Sequence, residues 1–374
     1  MKTFKAGVYI NQGYYKSFQP SFINRDWQIE DMEVIQLLSR ADRDLGRLDM
    51  YSAYIPNLQL FIQMHVAKEA TKSSKIEGTQ TNIEEIILNK EDLPLDKRND
   101  WDEVHNYMKA MNFGIDRLKG LPFSARLIKE THAVLLQGVR GEHKQPGEFR
   151  QSQNWIGGAT LNDAIFIPPV HTSVPELISD LEKFAHNEHV FLPDLLKIAL
   201  IHYQFETIHP FLDGNGRIGR LFITLYLVSK GILKQPVLYL SDFFERNRTI
   251  YYDNLMRARE KNDLTTWFKF FLVGIIETAK KGISTFDDIL RLQKLCDSKI
   301  QTLGVRATNA QKVLDFLYQN PVVDPAQIGA VTGLSVASIY KLITDLERLG
   351  ILKEITGGKR GRLYQFKDYT ELFQ

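Results

Sequence analysis

The chain has a single cysteine, Cys296, so no intramolecular disulfide can form. Disulfide scaffolds and cysteine-rich zinc modules are both excluded. It also has almost no net charge: 47 Lys and Arg against 45 Asp and Glu leave +2, and any contact with a polyanion must come from a local patch. No apolar run approaches the 18 or so residues of a membrane span, and the opening MKTFKAGVYINQGYY is too short a run for a signal peptide. A cytoplasmic protein with no membrane partner is the expectation. Internal repeats and low-complexity tracts are lacking, and strand-like runs are few. What is present is ordinary globular composition, 44% hydrophobic and 25% charged over 374 residues. At about 150 residues per domain, that length suggests two or three domains.

Helical periodicity dominates. Segments 29–47, 57–72, 174–186, 194–208 and 264–280 carry apolar residues at i, i+3 and i+4 spacing. The clearest β pattern is WIGGATLNDAIFIPP, where Trp155-Ile156 and Ala164–Ile167 flank glycine and Asn-Asp turn signals, and this predicts a hairpin. Near residue 300 the composition shifts. Residues 309–318, 324–332 and 335–349 read as three helices, followed by two β-like runs around Gly357-Gly358, which is the winged-helix pattern. The stretch before them, 282–308, reads as a connecting helix and linker. The expected units are 1–110 as an N-terminal helical region, 111–285 as a catalytic core and 300–374 as a winged-helix domain.

The chemistry concentrates in IHPFLDGNGRIGRLFITLYLVSKG, residues 208–231. A helix ends near His209-Pro210, because proline disfavours helix at the residue before it. The turn Asp213-Gly214-Asn215-Gly216 then feeds a second helix. Its unpaired N–H groups and positive dipole end suit a phosphate. Arg217 and Arg220, three apart, can reach the same side of that helix start. Asp213 supplies a hard oxygen ligand of the kind Mg²⁺ takes from a protein that leaves it mostly on substrate phosphates. His209, beside the anion site, is a candidate general base. Gly214–Gly219 also fits the dinucleotide pattern G-x-G-x-x-G, with Val237–Asp242 as a second strand, but a helix rather than a strand precedes it. No G-x-x-x-x-G-K-[ST] occurs.

Residues 209–220, HPFLDGNGRIGR, resemble the motif HPFx[DE]GNGRxxR of Fic-domain proteins. The likeness extends to LIKETHAVLLQGVRGEHKQPGEFRQSQNWIGG at 127–158, and SSKIEG at 73–78 fits the inhibitory motif [S/T]xxxE[G/N]. Most of residues 30–280 is covered. The resemblance implies a mainly α protein: a Fic helical core with a β-hairpin flap, an N-terminal helical region and a C-terminal winged-helix domain. It implies transfer of AMP from ATP to a Ser, Thr or Tyr hydroxyl of a target protein, with His209 as base and Asp213 holding Mg²⁺. Gly214, Asn215 and Gly216 would cradle phosphates, with Arg217 and Arg220 on the β- and γ-phosphates and Ile218 and Gly219 within the same cofactor segment. The 155–167 hairpin would be the flap, with Ile156, Gly157, Gly158 and Ala159 over the nucleotide, and Tyr251 and Tyr252 would wall the adenine pocket. Ser73, Glu77 and Gly78 would form the inhibitory helix end, with Glu77 on Arg220.

One residue departs from the family pattern: Arg259 stands where some members have an asparagine near the base. His202 reads as core packing. His132 and the turn Gly147-Glu148-Phe149-Arg150 read as a structural ion pair and a turn. Two other readings stay open. One is a DNA-binding regulator acting through residues 309–366, whose Fic-like core senses a nucleotide. The other is an enzyme that removes AMP from its target or transfers another phosphate-containing group. The target's identity is not encoded, and self-association into an oligomer is compatible with the chain.

Overall fold

The computed structural model describes residues 4–55, 58–358 and 361–373. Asn57, the expected start of one helix, and Lys359 and Arg360, two basic residues of the C-terminal turn, lie outside the described residues.

The chain opens with an antiparallel hairpin, β1 (Gly7–Asn11) and β2 (Lys16–Pro20), in register from Gly7↔Pro20 to Asn11↔Lys16. Helices α1 (Met32–Tyr54), α2 (Gln59–Ile76), α3 (Ile83–Ile86) and α4 (Arg98–Arg117) follow. Then come α5 (Ala125–Leu135), α6 (Val174–His186), α7 (Asp194–Ile208), α8 (Asn215–Ser229), α9 (Ser241–Arg246) and α10 (Arg248–Lys261). Next is α11 (Leu264–Gln301), a 38-residue helix about 57 Å long that packs along α1. The expected helix over 264–280 and the connecting helix after it are one element, because Phe286, Ile289, Cys296 and Ile300 continue its buried stripe. Residue 110 falls within α4 and residue 285 within α11, so the chain has no break at either place.

The C-terminal unit comprises α12 (Ala307–Leu317), β3 (Val322–Val323), α13 (Pro325–Thr332), α14 (Val336–Arg348), β4 (Lys353–Glu354), β5 (Tyr364–Gln365) and α15 (Lys367–Glu371). Its sheet has the order β3-β5-β4, all antiparallel. The strand β3 was not read from the sequence, where Val322-Val323 stands between Pro321 and the helix-capping Asp324. The unit docks on α2: Phe61 meets Tyr318 with ring centroids 5.0 Å apart, and His65 meets Phe373 at 5.0 Å.

Helix α7 positions the site. Every residue from Leu195 to Ile208 is buried, so this helix is enclosed on all sides rather than amphipathic. Its polar side chains therefore need internal partners. His202 takes Gly219 O at 2.9 Å and the Tyr251 hydroxyl at 2.8 Å, Gln204 donates to Ser21 O at 3.0 Å, and Thr207 donates to Tyr203 O at 2.8 Å. This is the packing role expected for His202. Among the described residues no single helix is long and apolar enough to cross a membrane.

Candidate functional site

Helix α7 stops at His209, which adopts the left-handed conformation (φ 48°, ψ 61°) that a side-chain-bearing residue rarely takes. Proline at 210 forbids continuation, and surrounding donors hold the strained carbonyl: Arg150 Nε at 3.0 Å and Asn154 Nδ2 at 3.1 Å. Asn215 then closes the turn on itself, its Oδ1 accepting from Phe211 N at 2.8 Å and its Nδ2 donating to Phe211 O at 2.9 Å. Gly214 at φ 75° caps α8, leaving the first-turn amides of that helix without intrahelical acceptors.

His132 buttresses the turn. Gly147 N donates to its Nδ1 at 2.8 Å, so the proton sits on Nε2 and is donated to Asp213 O at 2.9 Å, while the ring stacks on Phe211 at 3.7 Å. This corrects the expected ion pair. His132 bridges two loops through backbone groups, Arg150 donates to four carbonyls (His209, Ser152, Pro169 and Ile208), and only Glu148 in that segment forms an ion pair, with Lys129.

The two arginines diverge. Arg217 Nη1 lies 3.1 Å from Glu103 Oε2 on α4, with Asp213 Oδ1 at 3.6 Å from its Nη2. Arg220 turns toward the end of α2, where its Nη2 meets Glu77 Oε1 at 2.7 Å and Ser73 O at 2.8 Å, and its Nε meets Ser73 Oγ at 2.9 Å. Each guanidinium is captured by its own carboxylate, so the shared side expected from their spacing is not observed. Burial pushes the Glu77 carboxyl up, and the Arg220 guanidinium more than reverses this, so the net shift is downward. Gly216 makes room for the pair: a Cβ there would stand 2.3 Å from Glu77 Oε1. Gly78, at φ 106°, turns the chain away directly afterwards.

Glu77, His209, Gly216 and Arg220 share a cavity of about 520 Å³ with Glu206, Tyr251 and Tyr252. Its far wall is apolar: Leu255 and Met256 on α10 face Ile156, Ile165 and Phe166 of the 155–167 loop. That loop has one antiparallel bridge, Ile156↔Phe166, rather than a ladder, and its tip is tied by Asp163 accepting from Ala159 N and Thr160 N. Arg259 enters the same wall, its guanidinium 4.1 Å from the Phe166 ring centroid and its Nε donating to Thr207 Oγ1 at 3.0 Å. Burial first, then Arg150, depress the His209 imidazole to about 3, so the ring is neutral near pH 7.

Of the residues expected in the site, Ile156, Gly157, His209, Gly216, Arg220, Tyr251, Tyr252 and Glu77 line this cavity. Ser73 touches it through Arg220, and Asp213, Gly214, Asn215 and Arg217 build the adjoining turn. Gly158 and Ala159 sit at the tip of the 155–167 loop, outside the cavity lining, while Ile218 is buried in the core and Gly219 packs against α7. Helical geometry explains the last two, since they point round the axis from residues 217 and 220. Sequence reasoning passed over Glu103, Glu206 and Asn154, and read Arg150 only as part of a structural turn. Only Glu206 carried a signal there: an acid in an otherwise core-like helix, one turn before His209.

An amide-rich turn between two buried helices opens onto an aromatic-walled cavity in a mainly helical fold. The comparisons make this specific: residues 35–116 match the Fic/DOC family N-terminal region and residues 122–227 match the Fic/DOC family. The chain is a Fic-domain protein. It is 32% identical over 163 residues to a probable protein adenylyltransferase of Aquifex aeolicus, covering 41% of this chain and 46% of that one. It is 34% identical over 157 residues to the protein adenylyltransferase Fic of Culex quinquefasciatus, covering 39% and 29%. The chain thus spans less than half the length of these curated relatives. Among solved structures, a Fic family protein from Desulfovibrio desulfuricans shares the fold with a TM-score of 0.59 at 18% identity, over 91% of this chain and 98% of that one. A Fic-domain signaling protein from Bacteroides thetaiotaomicron gives a TM-score of 0.51 at 18% identity, over 68% and 97%.

Proposed function

We propose that this protein is an autoinhibited protein adenylyltransferase that moves AMP from ATP onto a Ser, Thr or Tyr hydroxyl of a target protein. The observation that carries this reading is the opening of a neutral His209 and the Gly216 helix start onto one cavity with an aromatic wall. The names of the curated relatives support the same reaction.

In this reading the target hydroxyl oxygen attacks the α-phosphorus, His209 takes its proton, and the bond to the β-phosphate oxygen breaks to release pyrophosphate. The first-turn amides of α8 and the Arg217 and Arg220 guanidiniums receive the phosphate charge. The 155–167 loop is the flap that covers the nucleotide and aligns the target segment. Asp213 suits Mg²⁺: its side chain is 38% exposed beside the anion turn, and among the described residues no three acidic, histidine or cysteine side chains converge as a metal cage. A divalent ion held by this one carboxylate and the substrate phosphates would supply charge neutralisation at the phosphates. Glu77 is the brake, because it occupies the guanidinium that the γ-phosphate needs.

The C-terminal unit, with three helices and a three-stranded sheet, we read as a winged helix that recognises protein rather than DNA. Two of its arginines are already paired with acids, Arg348 with Asp345 at 3.2 Å and Arg362 with Glu354 at 3.7 Å, which leaves them less free for a phosphate backbone.

The test is incubation with labelled ATP and Mg²⁺. Label should appear on protein with the Glu77→Gly variant and vanish when His209→Ala is added. Label that survives His209→Ala, or its absence from Glu77→Gly across candidate targets, overturns the reading.

A further inference from the structure

Glu206 is a buried acid on α7, one turn before His209. It is 7% exposed, and among the described residues its Oε1 has no hydrogen-bond partner. The contrast with Glu69 is informative, since that equally buried carboxylate accepts from Tyr107 Oη, Ser241 N and Ser241 Oγ. An unpaired buried carboxyl destabilises a fold. Helix α8 carries a second unfavourable choice for the same group: Gly219 sits in the helix interior, where glycine is disfavoured, and a Cβ there would stand 2.2 Å from Glu206 Oε1. Two costs are borne to keep one carboxyl in the cavity wall, and orphaned buried groups of this kind call for a ligand.

Its neighbours locate it along that ligand. Arg220, beside Gly216 and Glu77, marks the phosphate end, and Arg259, over Phe166 and next to Met256, marks the apolar end that takes a base. Glu206 lines the same cavity as both arginines: its Oε1 lies against Gly219, the neighbour of Arg220, while Arg259 Nε donates to Thr207, the next residue along α7, and among the described residues neither arginine forms an ion pair with it. A carboxylate only accepts hydrogen bonds. Phosphates offer no donor and carry the same sign of charge. In a nucleoside triphosphate the donors lying between phosphate and base are the ribose hydroxyls.

We propose that Glu206 is a specificity-determining residue that accepts a hydrogen bond from a ribose hydroxyl and thereby selects ribonucleotides over deoxyribonucleotides. The proposal rests on the reading above only in requiring that the cavity hold a nucleotide, and it does not depend on AMP transfer. Burial raises the carboxyl to about 7, so it is partly protonated near neutral pH in the empty cavity, and a hydrogen bond donated by a ribose hydroxyl favours the ionised, accepting form.

The experiment is calorimetric binding of ATP, 2′-dATP, 3′-dATP and ITP to the full chain and to Glu206→Leu, Glu206→Gln and Gly219→Ala. The unmodified protein should prefer ATP to at least one deoxy analogue by about tenfold or more, the scale of one charge-assisted hydrogen bond. Glu206→Leu should bring that ratio near one, and Glu206→Gln should keep part of it because the amide oxygen still accepts. Gly219→Ala, whose methyl displaces the carboxyl, should resemble Glu206→Leu. A merely structural role would shift all nucleotides together and leave the ratio intact. The proposal is overturned if Glu206→Leu preserves the ATP to deoxy-ATP ratio, or if the variant changes only the ATP to ITP ratio, which would put Glu206 at the base. Failure of ATP, GTP, CTP and UTP alike to bind the unmodified chain would overturn both this proposal and the proposed function. Binding without any change of ratio would overturn this proposal alone.

Discussion

Replacing Glu77 by glycine is the perturbation that most directly tests the brake. The contact it removes is a 2.7 Å pair to an Arg220 side chain that is 1% exposed, with the Glu77 side chain 34% exposed. A hydrogen bond between charged groups contributes about 1.5–3 kcal/mol, and its lower half applies here because one partner is partly solvated. Freed of that competitor, Arg220 still has Ser73 Oγ and Ser73 O to orient it. It becomes available to the γ-phosphate without being disordered. At about 1.4 kcal/mol per factor of ten, AMP transfer should rise at least roughly tenfold. The assay is label incorporated from ATP into target or into the chain itself at saturating Mg-ATP. The same variant leaves a buried guanidinium without its carboxylate, so without nucleotide it should melt several degrees lower, and ATP should restore more of that loss than in the unmodified chain. Equal transfer rates for the two proteins at saturating Mg-ATP would refute the argument and return Glu77 to an ordinary acid at a helix end.

Three further outcomes are expected. His209→Ala should leave ATP affinity within a fewfold while lowering AMP transfer roughly 10²–10⁴-fold, measured by calorimetry and label incorporation. Glu206, raised from 4.5 to about 7 in the folded chain, keeps its proton longer folded than unfolded, so its contribution declines as pH rises across that window, by as much as about 3 kcal/mol. Denaturant melts between pH 4.5 and 7 should therefore show a shallower decline for Glu206→Gln, and parallel curves would contradict the burial argument. Duplex DNA should not shift the protein in a gel at physiological salt, and a shift lost on removing residues 301–374 would reverse the assignment of the C-terminal unit to protein recognition.

Much of the candidate site's backbone geometry was legible because it is local. The run from His209 to Arg220 holds the helix stop, the turn and the helix start in twelve consecutive residues, and backbone preferences at Pro210 and Gly214 dictate that geometry without help from afar. Long-range partners were not legible. Glu103 captures Arg217 from 114 positions away, and nothing in α4 distinguishes it from a solvated acid. The β1–β2 hairpin was missed because Val8, Tyr9 and Ile10 are all exposed, so the strand lacks the alternation that marks a half-buried one. The length of α11 was underestimated because its second half is buried against other parts of the chain on a narrower stripe. Helix α7 was recognised as a helix, but its complete enclosure is a property of the packing around it.

Helix α2 ends on Arg220 but begins among the aromatic side chains of the C-terminal unit, and this makes it a strut rather than a lid. Sliding the whole 18-residue helix to withdraw Glu77 would pull Phe61 and His65 away from Tyr318, Phe286 and Phe373. Exposing even one such ring costs about 1.5–3 kcal/mol, comparable to the ion pair itself. Unwinding only the final turn, where Gly78 already breaks the backbone direction, disturbs none of those rings. In the proposed autoinhibited enzyme, release would therefore run through the last residues of α2, while the stiffness behind the Glu77–Arg220 contact is set at the opposite end of the same helix.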